Sequence, residues 1–333
     1  MPSVLITGAN GFIGSHLCDA FIENGYAVYG LVRATSDLRF LRRPEIKLIY
    51  GDLTEINAIR FPESVDAIVH AAALVSDNAT RQQCRRHIYD ITVSLVELAG
   101  RLYPRLTKFV YLSTALTLGY CADNISEQNP GRSVAYVPYN FMKKQTEAYL
   151  LEKNRTTGFP VVVLRPGDVY GPRDRTSSEL MLQAAEKGVP LIVGSGRKRF
   201  GLCYPTNLCR AVLATLDKPQ TNGRAYTVVN RVAPTWGEFF RALQKGVGGR
   251  QRVYVPVSLS LAVALFCELL KLLFPGFHPP LTYYRIRRIT AQTTYDLSRT
   301  ERELGYESDD DYLGQFDRII EWYKREKQRK DKP

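Results

Sequence analysis

The chain opens with a short apolar segment, residues 3–7, that runs into a glycine-rich turn and then into an amphipathic helix. The turn reads Gly8-Ala9-Asn10-Gly11-Phe12-Ile13-Gly14, and its place between a strand and a helix is typical of dinucleotide binding. Gly8 permits the tight turn, Gly11 lets a pyrophosphate approach the backbone, and Gly14 lets the helix pack closely on the strand. The free N–H groups and the dipole of the helix N-terminus then favour phosphate binding.

Apolar strands continue to alternate with amphipathic helices through the first half of the chain, the pattern expected of a parallel sheet. Strands are predicted at 3–7, 27–32, 46–50, 67–71, 108–113 and 160–165, and helices at about 13–24, 88–103 and 139–154. Gly25 is expected to cap the first of these helices. We therefore predict an α/β fold: a Rossmann-type, doubly wound parallel sheet with a smaller C-terminal substrate-binding region.

The alternation loosens after Gly171, which suggests where one region gives way to another. We predict a nucleotide-binding region with the catalytic residues at 1–172, a substrate-binding region interleaved with it at 173–323, and a basic tail at 324–333. Helices near 178–187, from 207 and from 235 are expected there, with strands at 191–193 and 225–229. These segments should pack over the carboxyl edge of the sheet, where open α/β folds bind ligands.

Composition narrows the class of protein. The chain has 333 residues, a formal net charge of +12 and six cysteines. The cysteines form no CxxC pair, and the first residues do not resemble a signal peptide. We therefore expect reduced thiols in a cytoplasmic protein. The charge excess fits a basic surface, an anionic ligand or an anionic membrane. Basic residues are not interleaved with aromatic ones on one element, so no nucleic-acid partner is expected. We also predict no metal site.

The end of the second strand bears on the choice of cofactor. An NAD site usually places an acid there, about 20 residues after the glycines, to bind the ribose 2′-hydroxyl. That position holds Val32, and the adjacent Arg33 is a planar cation suited to a phosphate. The sequence therefore favours NADP over NAD, with the alternative that Arg33 only stacks on the adenine. Asp52 follows the third strand at a position suited to the adenine amine, and Ala71-Ala72-Ala73 offers close backbone access beside the ribose.

Tyr139 and Lys143 are four residues apart and so share one face of a predicted helix. A free tyrosine has a pKa of about 10, and a neighbouring ammonium group would stabilise its phenolate and lower that pKa. Upstream, a strand ends at Ser113-Thr114 and delivers hydroxyl groups to the sheet edge. One of these hydroxyls could orient a carbonyl group.

Together these motifs resemble the extended short-chain dehydrogenase/reductase family. The resemblance covers residues 3–172 and includes the glycine motif, Asp52-Leu53, the Ser113-Thr114 strand end, Tyr139-x-x-x-Lys143 and the turn from Arg165 to Pro172. It implies that Thr114, Tyr139 and Lys143 are catalytic. The residues that we expect to contact the cofactor are Gly8, Asn10, Gly11, Phe12, Ile13, Gly14, Arg33, Asp52, Leu53, Ala71, Ala72, Ala73, Ser113, Tyr139, Lys143, Pro166 and Val169.

Within the family, the chain is most similar to the 3β-hydroxysteroid dehydrogenase-like and dihydroflavonol reductase-like branch. The second strand ends in Leu31-Val32-Arg33, and Leu164–Tyr170 resembles the steroid branch. The chain departs from that branch at Thr206, where an acid is usual. The resemblance implies reversible hydride transfer at a secondary alcohol or ketone of a hydrophobic, sterol-like substrate. The alternatives are a sugar-nucleotide epimerase or dehydratase with tightly bound NAD, a dihydroflavonol-type ketone reductase, and a non-catalytic cofactor-binding protein.

An apolar segment at 255–274 contains only two charged residues, Glu268 and Lys271. Its apolar run is short for a membrane span, and the charges make spanning costly. Read as a helix, it must bury its apolar surface against the protein core, a substrate, a second subunit or lipid. We predict peripheral contact with a membrane through this segment, and a homodimer stays an open alternative.

Overall fold

The computed structural model of the chain describes residues 1–189, 192–249, 254–274 and 281–330, without the side chain of Leu272. The strands are β1 (Ser3–Thr7), β2 (Ala27–Val32), β3 (Ile46–Tyr50), β4 (Ala67–His70), β5 (Lys108–Leu112), β6 (Val161–Pro166), β7 (Asp168–Val169), β8 (Ile192–Val193), β9 (Leu202–Cys203), β10 (Arg224–Val228) and β11 (Tyr254–Val255). The α-helices are α1 (Phe12–Glu23), α2 (Arg81–Cys84), α3 (Ile91–Leu102), α4 (Pro138–Thr157), α5 (Ser178–Glu186), α6 (Pro205–Leu216), α7 (Trp236–Gly246), α8 (Val257–Leu273), α9 (Tyr283–Thr290), α10 (Ser298–Leu304) and α11 (Tyr312–Lys330).

Seven parallel strands form the main sheet in the order β10-β6-β5-β4-β1-β2-β3. Every residue of β4, β5 and β6 is buried, as expected for strands that are covered on both faces. The chain order reverses beside β1, and ligands bind at such a switch point in doubly wound folds. The predicted α/β fold class is confirmed.

Helices cover both faces of this sheet because alternate strand residues point to opposite sides. On one face, Val4 and Ile6 of β1 belong to a core cluster with side chains of α1 and α6, such as Leu17 and Leu208. On the other face, Leu5 belongs to a separate cluster with α3 and α4. The two clusters hold α1 and α4 against opposite faces, and both helices begin at the carboxyl edge of the sheet.

The C-terminal part of the chain has a core of its own and also extends the main sheet. Its aromatic cluster joins α5, α7 and α11, and the Phe200 and Trp236 rings stack with centroids 4.0 Å apart. The strand predicted at 225–229 is β10, which pairs with β6 at the sheet edge. In the strand predicted at 191–193, Leu191 lies outside the described residues, and β8 comprises the other two positions.

Predicted and observed helix boundaries agree within a few residues except before α3. The helix predicted at 88–103 is preceded by α2 and a π-helical turn at Arg85–Asp90, so helical backbone begins at Arg81. Thr80 and Gln83 form a capping box at the start of α2, and this pair of residues is a sequence signal for a helix N-terminus. Gly25 has a φ of +78° directly after α1, where the cap was predicted.

The contact between α1 and the glycine turn gives a prediction about stability. A Cβ atom at Gly14 would lie 2.1 Å from the Gly8 carbonyl oxygen, a backbone atom that cannot move aside alone. We expect Gly14→Ala to lower the free energy of unfolding by about 1–3 kcal/mol or more, the range for forced overpacking. Urea unfolding followed by circular dichroism measures this change.

Gly100→Ala is the matched control because Gly100 is also helical, in α3. Its added Cβ would meet only the Phe159 ring at 3.9 Å, an ordinary contact. This variant should be stabilised by about 0.5–1 kcal/mol. Equal stability of Gly14→Ala and the unchanged protein would contradict the close approach of α1 to the turn.

Candidate active site

The glycine motif forms a tight turn that leads from β1 into α1. Gly8 has a φ of +66°, and a Cβ atom there would lie 2.9 Å from the Ala72 Cα atom. The Gly11 N–H donates to the Gly8 carbonyl oxygen at 3.0 Å, and Gly11 is the N-cap of α1. The turn therefore presents the α1 N-terminus, with no side chain in front of it, at the carboxyl edge of the sheet. This arrangement fits the pyrophosphate of a dinucleotide.

A cleft of about 510 Å³ lies beside this turn. Of the predicted cofactor residues, it brings together Gly8, Asn10, Gly11, Arg33, Asp52, Leu53, Ala71, Ala72 and Ala73. These residues follow β1, β2, β3 and β4, whose carboxyl ends meet at one edge of the sheet. The cleft can accommodate an extended nucleotide that runs from Arg33 across the glycine turn.

At one end of the cleft, Val32 is buried and Arg33 is exposed. Asp52 accepts hydrogen bonds from the Thr54 N–H and hydroxyl groups, both at 2.9 Å, and so caps the short 3₁₀ helix Leu53–Ala58. Hydrogen bonding from the Thr54 backbone is the main cause that lowers the pKa of Asp52, and Arg33 adds to it. The carboxylate is therefore ionised at neutral pH, and one of its oxygens serves the fold.

Sequence reasoning missed several residues that line the cleft. They are Leu31, Val32, Gly51, Thr54, Leu74, Gln83, His87 and Ile91. Gln83 and His87 stand on α2 and the π-helical turn, which the predicted helix boundary excluded. The Thr80–Gln83 capping box was the available signal. That His87 faces the cleft depends on the packing of the helix, which no local pattern encodes.

The other predicted cofactor residues lie outside the lining of this cleft. Gly14 is covered by the Gly8 turn, and Ile13 packs against the core that includes β1. Phe12 stacks edge-on against His16, with ring centroids 5.7 Å apart. Pro166 ends β6, and Val169 lies in β7. The structure thus separates residues that shape the turn from residues that face the cleft.

Thr114 and Ser113 lie at the carboxyl end of β5 and are both buried. The Thr114 hydroxyl accepts a hydrogen bond from the Leu116 N–H at 3.3 Å and caps the 3₁₀ turn Ala115–Leu118. The Ser113 hydroxyl instead donates to the Glu147 carboxylate of α4. Thr114 therefore keeps a hydroxyl proton available to a ligand, whereas the Ser113 side chain is committed to Glu147.

Tyr139 and Lys143 stand on the first turns of α4, which begins at Pro138, and they share one face of the helix as predicted. The Lys143 ammonium group donates to the Leu112 carbonyl oxygen at 2.6 Å. It lies 4.7 Å from the centroid of the Tyr111 ring and 5.9 Å from that of Tyr139. The lysine is therefore held between the end of β5 and the tyrosine ring.

The pKa of Tyr139 differs from the sequence expectation. Burial raises it, with a smaller increase from Asp77 and a decrease from Arg288. Lys143 is not among the causes of this shift, so the predicted lowering of the tyrosine pKa by the lysine is not seen in this arrangement. Burial also lowers the pKa of Lys143 to about 7, against an opposing effect of Glu147. A buried tyrosine beside a lysine whose pKa lies near neutral pH is a feature of acid–base sites.

Helix α9 covers the tyrosine from the C-terminal part of the chain. Tyr284 of α9 belongs to a buried cluster with Tyr120 and Val137, against which Tyr139 packs. Arg288 of the same helix forms an ion pair with Asp168. No local pattern in the sequence indicates this contact of Arg288, because it depends on how α9 folds back over α4.

Two charged residues that the sequence analysis singled out attach helix α8 to the rest of the protein, and one of them contacts α9. The Glu268 carboxylate accepts the Tyr283 N–H at the start of α9 at 2.8 Å. The Lys271 ammonium group donates to the Asn78 side chain at 3.2 Å. Both charges thus point toward the protein, and the two helices form one cover beside Tyr139.

Comparison with known proteins identifies the family of the chain. The sequence pattern of the NAD dependent epimerase/dehydratase family matches residues 4–229. A 4-hydroxy-2-methyl-3-oxo-4-farnesyl-3,4-dihydroquinoline-1-oxide ketoreductase of Stigmatella aurantiaca is 25% identical over 306 residues, covering 90% of each chain. A 3beta-hydroxysteroid-dehydrogenase/decarboxylase (isoform 1) of Arabidopsis thaliana is 30% identical over 339 residues, covering 91% of this chain and 75% of the relative.

Solved structures show the same fold. The crystal structure of UDP-glucuronic acid 4-epimerase from Bacillus cereus in complex with NAD superimposes with a TM-score of 0.75 at 21% identity. The match covers 97% of this chain and 99% of the epimerase. Since the family pattern spans the glycine turn, the cleft and the Tyr139–Lys143 helix, the chain belongs to the NAD dependent epimerase/dehydratase family of enzymes.

Proposed function

We propose that the protein is an NAD(P)-dependent oxidoreductase that interconverts a secondary alcohol and a ketone on a hydrophobic, sterol-like substrate. One observation carries the proposal: Tyr139 and Lys143 stand together beside Thr114, at the same sheet edge as the nucleotide cleft. The names of the relatives, a ketoreductase and a hydroxysteroid dehydrogenase, support this reaction and an apolar substrate.

Residues of the cleft would hold the cofactor along its length. Gly8, Asn10 and Gly11 would bind the pyrophosphate through the turn and the α1 N-terminus. Arg33 would pair with the 2′-phosphate of NADP, since Val32 occupies the usual position of the acid that selects NAD. A bound nicotinamide supplies the hydride acceptor or donor.

The remaining chemistry belongs to side chains of this chain. The Thr114 hydroxyl would donate to the substrate oxygen, and the Tyr139 hydroxyl would exchange the proton on that oxygen. The Lys143 ammonium group, held by the Leu112 carbonyl oxygen, would lower the free energy of the phenolate when the proton leaves. Helix α9 would limit the entry of water because it covers Tyr139 with buried aromatic side chains.

A sugar-nucleotide epimerase or dehydratase is the alternative with the same catalytic residues. Such an enzyme regenerates its nicotinamide within one turnover, whereas the proposed reductase exchanges cofactor with solution. The departure at Thr206 does not decide between them, since this side chain is exposed on α6. Release of reduced cofactor, followed at about 340 nm with sterols, flavanonols and nucleotide sugars, separates the two functions.

The proposed role of Tyr139 predicts that Tyr139→Phe lowers turnover by about two to four orders of magnitude, the usual contribution of a positioned acid–base group. Cofactor affinity should change little, because the hydroxyl group serves the substrate. Cofactor fluorescence gives the affinity and steady-state kinetics the turnover. Tyr136→Phe is the control, since Tyr136 is an exposed tyrosine near the same cluster. Near-normal turnover of Tyr139→Phe would overturn the assignment.

The proposed preference for NADP predicts different effects of Arg33→Ala on the two cofactors. A charge-assisted hydrogen bond contributes about 1.5–3 kcal/mol, so the dissociation constant for NADP should rise by about 10- to 150-fold. The constant for NAD should stay nearly unchanged. Arg42→Ala removes an exposed cation outside the cleft lining and controls for net charge. Equal losses for both cofactors would assign Arg33 to the adenine or to the fold.

We also propose that α8 contacts a membrane peripherally. Ser260, Ala264 and Cys267 face the protein, whereas large apolar side chains on the opposite side are exposed. These outward residues are Leu259, Val263, Leu265, Phe266, Leu269, Leu273 and Phe274. Glu268 and Lys271 point inward, so the exposed face is uncharged. Among the described residues, no helix combines the length and apolarity that a membrane crossing requires.

Charge favours lipid over a second subunit as the occupant of this face. The chain carries a net charge of +12, and Arg285 and Arg287 lie on α9, which packs against α8. Anionic headgroups attract such residues by about 1 kcal/mol each near the surface, whereas two equally basic copies repel each other. An apolar substrate could then pass from the bilayer along α8 toward Tyr139.

Co-sedimentation with phosphatidylcholine/phosphatidylserine vesicles at low salt tests the membrane contact. The protein should pellet, and Leu265→Glu/Leu269→Glu should abolish pelleting because two charges would enter the apolar layer. Leu180→Glu/Leu313→Glu is the matched control: these leucines are 55% and 57% exposed, against 55% and 53% for Leu265 and Leu269. Failure of the unchanged protein to pellet would overturn the proposal, and a dimer lost in the α8 variant would assign the face to a second subunit.

A further inference from the structure

A buried carboxylate lies one helical turn beyond Lys143 and has no part in the mechanism above. Glu147 of α4 has a side chain that is only 5% exposed. One of its oxygens accepts the Ser113 hydroxyl group and, at 3.0 Å, the Thr117 hydroxyl group. The other accepts two N–H groups of Arg165, at 3.0 and 2.7 Å. Both carboxylate oxygens are therefore engaged by donors, and Arg165 forms an ion pair with Glu147.

Arg165 connects this carboxylate to the protein surface. The Arg165 Nη1 group donates to the Glu127 carboxylate at 2.8 Å, and the Glu127 side chain is 43% exposed. Glu127 also pairs with Arg299 of α10 at 3.3 Å. Arg165 therefore lies between two carboxylates, one buried beside Lys143 and one near the solvent.

Lys143 and Glu147 are both fixed to the end of β5, at consecutive residues. The lysine donates to the Leu112 carbonyl oxygen, and the glutamate accepts from the hydroxyl of Ser113. No direct ion pair joins the two charged groups among the described contacts, but they are four residues apart on α4 and both are buried, so their attraction acts through a medium of low polarity. Attraction between buried charges is strong in such a medium.

The other groups that face Lys143 do not replace Glu147 as a source of negative charge. Tyr111 of β5 and Tyr139 of α4 present aromatic rings. His70 of β4 lies between the Thr7 and Thr92 hydroxyl groups, and burial, with help from Lys143, lowers its pKa to about 3, so it is neutral. Burial lowers the pKa of Lys143, and Glu147 is the carboxylate that opposes this shift.

We propose that Glu147 is a positioning residue that favours the protonated form of Lys143, through a carboxylate held in place by Ser113, Thr117 and Arg165. Burial brings the pKa of Lys143 to about 7 with this carboxylate present. Without it, the buried lysine would lose its proton below neutral pH and could no longer stabilise a phenolate on Tyr139. The protonation of Lys143 is a property of the folded chain, and only its consequence for turnover rests on the proposed function.

Direct titration of Lys143 tests the proposal without a substrate. Protein labelled with ¹³C at the lysine ε carbon is titrated by NMR, and the Lys143 resonance is identified by its loss in Lys143→Arg. Glu147→Gln should lower the pKa of Lys143 by about 1–3 units, the effect expected for removing a nearby opposite charge. Glu127→Gln is the matched control, because it removes the other carboxylate from Arg165 but leaves Glu147 beside the lysine.

A second variant covers the case in which Glu147→Gln does not fold. Glu147→Gln/Arg165→Met leaves neither partner as an unpaired buried charge. This double variant should also lower the pKa of Lys143, but by less than Glu147→Gln does, because the more distant Arg165 cation is lost as well. An unchanged Lys143 titration in whichever variant folds would overturn the proposal, as would an equal shift in Glu127→Gln.

Turnover then links this residue to the reaction. In Glu147→Gln the alkaline limb of the pH–rate profile should move to lower pH in step with the lysine titration, whereas a purely structural defect would lower the rate at every pH. If the unchanged protein oxidises and reduces none of the tested substrates, the proposed function fails, and the NMR titration still decides the role of Glu147.

Discussion

The parallel sheet is the constraint on which the rest of the structure depends. Its central strands β4, β5 and β6 are buried on both faces, so their backbone hydrogen bonds and apolar side chains fix each of them against its neighbours. Because the strands run in one direction, their last residues meet at one edge. The glycine turn after β1, Arg33 after β2, Asp52 after β3 and Thr114 after β5 therefore come together, although they are far apart in the chain.

Helix α4 places Tyr139 and Lys143 at that edge, and several charged side chains are buried as a result. Lys143 and Glu147 are both buried, and such groups are tolerated only when they are paired or hydrogen-bonded. The end of β5 supplies a carbonyl oxygen for the lysine and a hydroxyl group for the glutamate, and Arg165 of β6 completes the set. The same contacts that hold α4 on the sheet thus also set the charge around Tyr139.

The C-terminal helices shape the other side of the site. Helix α9 covers Tyr139, and α8 is tied to it through Glu268 while an uncharged apolar face stays exposed. This combination links the proposed apolar substrate with the proposed membrane contact, because the same helix pair borders both Tyr139 and the surface. Arg288 joins this cover to β7 through Asp168.

The sequence alone determined the fold class, the glycine turn and the pairing of Tyr139 with Lys143 on one helix face. These features depend on local spacing: a strand–turn–helix motif, alternating apolar periods, and two residues four apart. Only the tertiary structure decided the contacts between residues that are far apart in the sequence. It engaged the Ser113 hydroxyl with Glu147, brought His87 and Gln83 into the cleft, and turned Glu268 and Lys271 inward. It also raised the pKa of Tyr139, because burial acts through the whole surrounding volume, which no short pattern of residues describes.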